Sequence, residues 1–120
     1  MPYLLLILEP GEQRRSRPEE EGHLAYARMR QFADDLEKRG VLRASDSLRS
    51  DAEGTRVVVR NGRRMLTDGP FAESKEIVGG FFYLDCDTKQ EAIAIASACP
   101  AAEWATVEVR EIGPCYEGSG

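Results

Sequence analysis

One histidine and one tryptophan occur in 120 residues, and the three cysteines stand at positions 86, 99 and 115. A single imidazole among scattered carboxylates has no metal-ligand spacing, so no metal or cofactor centre is expected. The cysteines are odd in number and too far apart for a zinc knuckle or a Cys-x-x-Cys redox pair, which fits a reducing compartment and a role as small hydrophobes. No apolar run approaches the roughly 20 residues needed to cross a bilayer, and no basic stretch with a cleavage site opens the chain, so a soluble, cytoplasmic protein without membrane contact is expected. Surplus positive charge is also missing. Lys and Arg total 16 against 21 Asp and Glu, for a net charge of -5 with both signs interspersed, which makes direct nucleic-acid binding a poor expectation. There is no nucleotide loop and no nucleophile elbow. Gly79-Gly80 lies inside an apolar stretch and lacks the Gly-x-Gly-x-x-Gly spacing, so it marks a bulge or a close backbone approach.

The hydrophobic fraction is 42%, enough for one domain over residues 1–120 with a core of its own. Tyr3 to Leu8 is an apolar run of strand length closed by Glu9-Pro10-Gly11. The polar segment after it is expected to be a mobile loop, with Arg14, Arg15 and Arg17 followed by Glu19, Glu20 and Glu21 as a solvated charge cluster. A helix begins near Pro18 and ends at Gly40, with Ala25, Met29, Phe32, Ala33 and Leu36 in one core-facing stripe. Val41 to Leu48 forms a second strand. Arg56 to Arg60 and Arg63 to Thr67 flank Asn61-Gly62, the signature of a hairpin closed by a type I′ turn. A strand over Ile77 to Leu84, a helix opened by the capping box Thr88-Lys89-Gln90-Glu91 with Ala92, Ile95, Ala96 and Cys99 inward, and a last strand over Ala105 to Ile112 complete the order.

Without the hairpin, this order is the α+β ferredoxin-like split βαβ arrangement, βαββαβ, with the hairpin inserted as a local arm. Leu4 to Leu8 and Phe81 to Leu84 are apolar at consecutive positions, so they offer hydrophobic side chains to both faces of the sheet. Two helices cover only one face. The other implies a partner sheet, most simply from a second copy, and therefore a homodimer with a small-molecule cleft beside the stacked sheets.

His23 is the first place to seek a general base, because its unperturbed pKa lies near neutrality. It falls on the flank of the first long helix, away from the core stripe, where a plain surface histidine is equally at home. Asp68-Gly69-Pro70-Phe71 is a stiff turn that either aims Asp68 and Phe71 at a ligand or merely punctuates the chain. Lys75 is a candidate anion contact, and Arg110 on the last strand could hold a carboxylate through two parallel hydrogen bonds if its side faces the cleft.

The run Asp68-Gly69-Pro70-Phe71-Ala72-Glu73-Ser74-Lys75-Glu76, with Gly79-Gly80-Phe81, Glu91-Ala92 and Cys99-Pro100 after it, closely resembles the DGPF-domain proteins of the YCII-related family. The first strand, Gly40-Val41-Leu42 and Val107-Glu108-Val109-Arg110 are also similar to that family. The resemblance implies a dimeric ferredoxin-like α+β barrel. It also implies a small-molecule site of the kind found in cofactor-free isomerases and dehydrochlorinating lyases of this fold, acting on a small anionic molecule. Such a site pairs a histidine early in the first helix, matched by His23-Leu24-Ala25, with an Asp before a Pro after the second helix. Here Cys99 precedes Pro100, so Asp68 or another carboxylate would have to assist His23. The same resemblance implies the alternative of a non-catalytic binding or sensory module working with a sigma factor of the extracytoplasmic-function class.

Overall fold

A computed structural model describes residues 2–116. Strand β1 (Pro2–Glu9) alternates strictly: Tyr3, Leu5, Ile7 and Glu9 are buried, and the residues between them are half-buried. Pro10 then starts a short helix α1 (Gly11–Arg15), where the sequence led us to expect a mobile loop. Its arginines find acceptors on other elements, and that holds the turn in place.

Helix α2 (Glu19–Lys38) has Glu19, Glu20 and Glu21 in its first turn, at the positive end of its dipole. It ends in a Schellman motif. Gly40 sits at φ 75°, its N–H donates to the Glu37 carbonyl at 2.9 Å, and the Val41 N–H reaches the Leu36 carbonyl at 3.2 Å. The expected stripe is the one that packs: Leu36 is fully buried, while Met29, Phe32 and Ala33 lie against the core. Phe32 meets Phe82 edge to face with ring centroids 5.3 Å apart.

Strands β2 (Leu42–Ser47), β3 (Thr55–Arg60), β4 (Arg63–Asp68), β5 (Ile77–Asp85) and β6 (Thr106–Glu111) follow, with helix α3 (Lys89–Ala98) between the last two. Thr88 caps α3 by accepting from the Glu91 N–H at 3.1 Å, and the Glu91 carboxylate reaches back to the Asp87 N–H at 3.3 Å. The main sheet runs β2-β5-β1-β6 with every pairing antiparallel. Two interlocked split βαβ units produce this order, so the expected α+β ferredoxin-like arrangement is the observed one. Strands β3 and β4 form a separate two-stranded sheet closed by Asn61 at φ 53° and Gly62 at φ 75°.

Both long helices cover one sheet face. Leu5, Leu36, Phe82, Leu84, Ala92 and Ile95 are among the core residues there. On the other face Leu4 pairs with Tyr83 and Leu6 with Phe81, all four half-buried and covered by no helix. Cys86 and Cys99 lie in the core, where burial pushes both thiols up from the ordinary value, whereas Cys115 is exposed. Among the described residues no helix is long and apolar enough to cross a membrane.

The two-faced sheet predicts a measurable contrast. Leu5 is 0% exposed and Leu24, on the outer side of α2, is 61% exposed. Leu5→Ala should cost about 3 kcal/mol in urea unfolding, and Leu24→Ala should stay within about 0.5 kcal/mol.

Candidate functional site

Small side chains stand among larger ones on both sides of the gap between α2 and the sheet. Gly22 and Ala25 line it from the helix, Gly79 and Gly80 from β5, and Ser45 and Ser47 from β2. Between them lies a cavity of about 440 Å³, within the range of small-molecule sites. Ile7, Met29 and Phe82 supply its apolar lining. The cavity lies within the single chain, on the helix-covered face of the sheet.

A charged cluster closes one end. Glu9 continues the inward phase of Tyr3, Leu5 and Ile7, so its carboxylate is carried indoors, where it is 4% exposed. It accepts from Arg17 Nη2 at 2.7 Å and Gln13 Nε2 at 3.3 Å, and lies 3.9 Å from Arg14 Nε. The Arg14 Nη2 donates to the Leu48 carbonyl. Its Nη1 is shielded by protein and has no hydrogen-bond partner among the described residues.

The strand beneath is built to accept this guanidinium. The β1–β5 register shifts so that Ile7 faces Gly80 and Leu8 faces Val78, leaving Gly79 as an extra residue in a bulge. A Cβ on Gly79 would stand 3.5 Å from Arg14 Nη1, and one on Gly80 would stand 2.9 Å from the Asp46 carbonyl oxygen. Gly80 thus permits the close approach of β2, while Gly79 lies under Arg14 at ordinary contact distance. Arg14 and Arg17 are half-buried here, not in the solvated loop that their charge pattern implies. The missed signal was the period of two along β1, which places Glu9 inside and obliges cations to follow it.

His23 lines the same cavity, at its outer edge. Its side chain is 77% exposed, and Nε2 lies 3.8 Å from Glu19 Oε1, an ion pair when the imidazole is protonated. Arg30, two turns further along α2, also borders the cavity.

The other residues named from the sequence lie elsewhere. Asp68 is the last residue of β4, exposed, and accepts from Thr55 Oγ1 at 3.0 Å across the hairpin. Phe71 sits under the Arg56 guanidinium, 3.9 Å from ring centroid to Cζ. Lys75 is exposed in the segment before β5. Arg110 projects from β6 on the uncovered sheet face beside Leu4, with Nη1 3.2 Å from Glu108 Oε2. None of these four borders the cavity that holds His23.

The Asp-Gly-Pro-Phe turn has a different job here. Asp51, in a single 3₁₀ turn before β3, accepts from Arg15 Nη1 at 2.5 Å and from the Phe71 N–H at 3.2 Å, with its side chain only 7% exposed. Burial alone would raise its pKa, but the Arg15 guanidinium and the Phe71 amide together hold the carboxyl below its ordinary value. The Gly69 N–H bonds the Gly54 carbonyl at 2.8 Å, and a Cβ on Gly69 would fall 1.8 Å from the Asp51 carbonyl oxygen. Only glycine fits. The turn is a shoulder joint that fixes the base of the β3–β4 hairpin to the body.

The family model of the YCII-related domain matches residues 1–115. No curated protein matches the chain.

Two consequences of the Asp51 joint can be measured. Gly69→Ala should destabilise by about 1–3 kcal/mol, because the added methyl meets backbone and not a movable side chain. Asp51 has a folded pKa below its unfolded one, so its contribution is present above the unfolded value and is lost as pH falls through the folded one. Asp51→Asn should therefore lower the melting temperature at pH 7, with the gap to the parent closing as the solution is acidified below the carboxylate range.

Proposed function

The chain belongs to the YCII-related family, and on that premise we propose that it binds a small, partly apolar organic anion in the cavity under α2 and moves a proton on it through His23. Arg14 carries this reading: it lines the cavity and its side chain is 22% exposed, held beside the buried Glu9. A carboxylate in the cavity would meet the accessible part of that guanidinium in a charge-assisted hydrogen bond. Arg14 and Arg17 are held by Glu9, so the anchor is pre-organised and little side-chain entropy is lost on binding. The apolar part of the molecule would lie against Ile7, Met29 and Phe82. His23 at the outer edge is then the group placed to exchange protons between the bound anion and solvent, with Glu19 Oε1 3.8 Å from its Nε2. This is acid/base chemistry of the isomerase or lyase type, carried by side chains. Asp68 is too far along the arm's base to border the same cavity, so the helper carboxylate in this reading is Glu19.

A second reading keeps the site and drops the turnover. His23 is mostly in water, which suits a binding or sensory module, working with a partner such as a sigma factor, as well as it suits a catalyst.

Thermal shift with a panel of small carboxylates separates these. A ligand at about a hundred times its dissociation constant should raise the melting temperature on the order of 10 °C. The shift should vanish in Arg14→Met and persist in His23→Gln, while turnover of the same compound, where present, disappears in His23→Gln. A shift that survives Arg14→Met would sink the anion site. An intact shift without turnover in the parent would leave the binding module.

A further inference from the structure

Strand β2 turns two hydroxyls inward. Its partners fix its phase: Ser45 stands opposite Phe82 and Ser47 opposite Gly80, and directly opposed residues carry their side chains on the same face. Phe82 is buried in the core under the helices, so both serines belong to the helix-covered side, and both line the cavity. The neighbouring strands fill that side with Leu5, Ile7, Phe82 and Leu84. Asp46, between the serines and opposite Phe81, falls on the uncovered face.

Ser45 is half-buried, and the residue opposite Ser47 has no side chain to fill the space beside it. The side-chain hydrogen bonds of this stretch run from Arg14 to the Leu48 carbonyl and from the Ala52 N–H to Ser50, and among the described residues neither Ser45 nor Ser47 takes part in one. Hydroxyls in a partly apolar hollow are costly to strip of water unless another group donates and accepts in its place. Their position relative to the anion anchor is set by the chain. Arg14 is bound to the carbonyl of Leu48, the residue after Ser47, and Ser45 lies about 7 Å further along the strand. A carboxylate on Arg14 therefore has Ser47 beside its first carbons and Ser45 beside later ones. The nearby acids offer no seat for an ammonium group. Glu9 is occupied by Arg17 and Arg14, Glu19 stands at the exposed outer edge, and Asp46 is on the other face.

We infer, on the basis of the anion site proposed above, that the molecule bound under α2 is a hydroxylated carboxylate: Arg14 holds the carboxylate, and Ser47 and Ser45 read hydroxyl groups along its chain. A hydroxyl both donates and accepts, as serine does, so each serine completes a hydrogen bond with it in either direction. A plain alkyl or aryl carboxylate would displace water from the serines and give nothing back. An amino acid would bring a cation towards Arg14 and Arg17.

Isothermal titration calorimetry of the full chain with three compounds of one shape, phenyllactate, phenylpropionate and phenylalanine, tests this. Phenyllactate should bind about tenfold more tightly than phenylpropionate, and phenylalanine more weakly than either. Ser45→Ala with Ser47→Ala should reduce phenyllactate to the affinity of phenylpropionate, leave phenylpropionate within about twofold of its parent value, and leave the melting temperature of the free protein unchanged. Ser47→Ala alone should produce most of that loss, because the hydroxyl of phenyllactate is on the carbon next to the carboxylate. Arg14→Met should abolish binding of all three. Equal affinities for phenyllactate and phenylpropionate, or a preference that survives the double serine variant, would overturn the hydroxyl reading and leave the anion site standing. Binding that Arg14→Met does not weaken, or no binding of either compound to the parent, would overturn the anion site and the substrate class with it.

Discussion

Arg15 and the Phe71 amide share one acceptor, the Asp51 carboxylate, and three stretches of chain far apart in sequence are joined by it. The short helix α1, the turn before β3 and the turn after β4 have no extended sheet or helix packing between them. They meet through a nearly water-free carboxylate, a guanidinium and one backbone hydrogen bond, from Gly69 to Gly54. Arrangements of this kind are stiff because each donor is satisfied in only one relative placement. The neighbouring residue in α1 does something else. Arg14 turns to the other side and lies over the Gly79 bulge at the end of the cavity. One helical turn thus ties together the arm's base and the pocket's charged end, and a change that loosened α1 would be felt at both.

The cavity itself is an outcome of volume. Between a helix and a sheet that would otherwise close, glycine, alanine and serine occupy the facing positions, so the interior density found lower in the core cannot be reached there. The same gap is bounded by ionic groups that do not neutralise one another fully. Glu9 accepts two hydrogen bonds and lies 3.9 Å from Arg14 Nε, so two guanidinium groups face one carboxylate. Space, apolar lining and surplus positive charge coincide at one place, which is the physical content of calling it a site.

Much of the architecture was legible in the residues. The 3.6-residue stripe from Ala25 to Leu36, the Asn61-Gly62 turn and the Thr88 cap each depend on local chemistry, and the elements formed where that chemistry put them. The apolar runs in β1 and β5 disclosed two apolar sheet faces for the same reason. The site was harder to find. His23 was identifiable by type and helix position, and it borders the cavity. Asp68 and Phe71 drew attention because Asp-Gly-Pro-Phe is conformationally stiff, but stiffness does not reveal whether a turn holds a ligand or holds another turn. Gly69 against the Asp51 carbonyl shows the second use. Arg14 and Arg17 were hidden for a different reason. Near acids in sequence they look like ordinary surface charge, and only the burial of Glu9 in the third dimension turns them inward.

Strand β1 pairs on both sides with strands that come late in the chain, β5 and β6, and with nothing nearer. During synthesis its apolar run leaves the ribosome roughly seventy residues before the first of those partners has been made, an interval of about 4–14 s at ordinary elongation rates. Until then Tyr3 to Leu8 is an unpaired hydrophobic ribbon in a crowded solution, open to chaperones and to other nascent chains. The hairpin arm, whose strand pairing is local, can be complete well before that ribbon is sheltered.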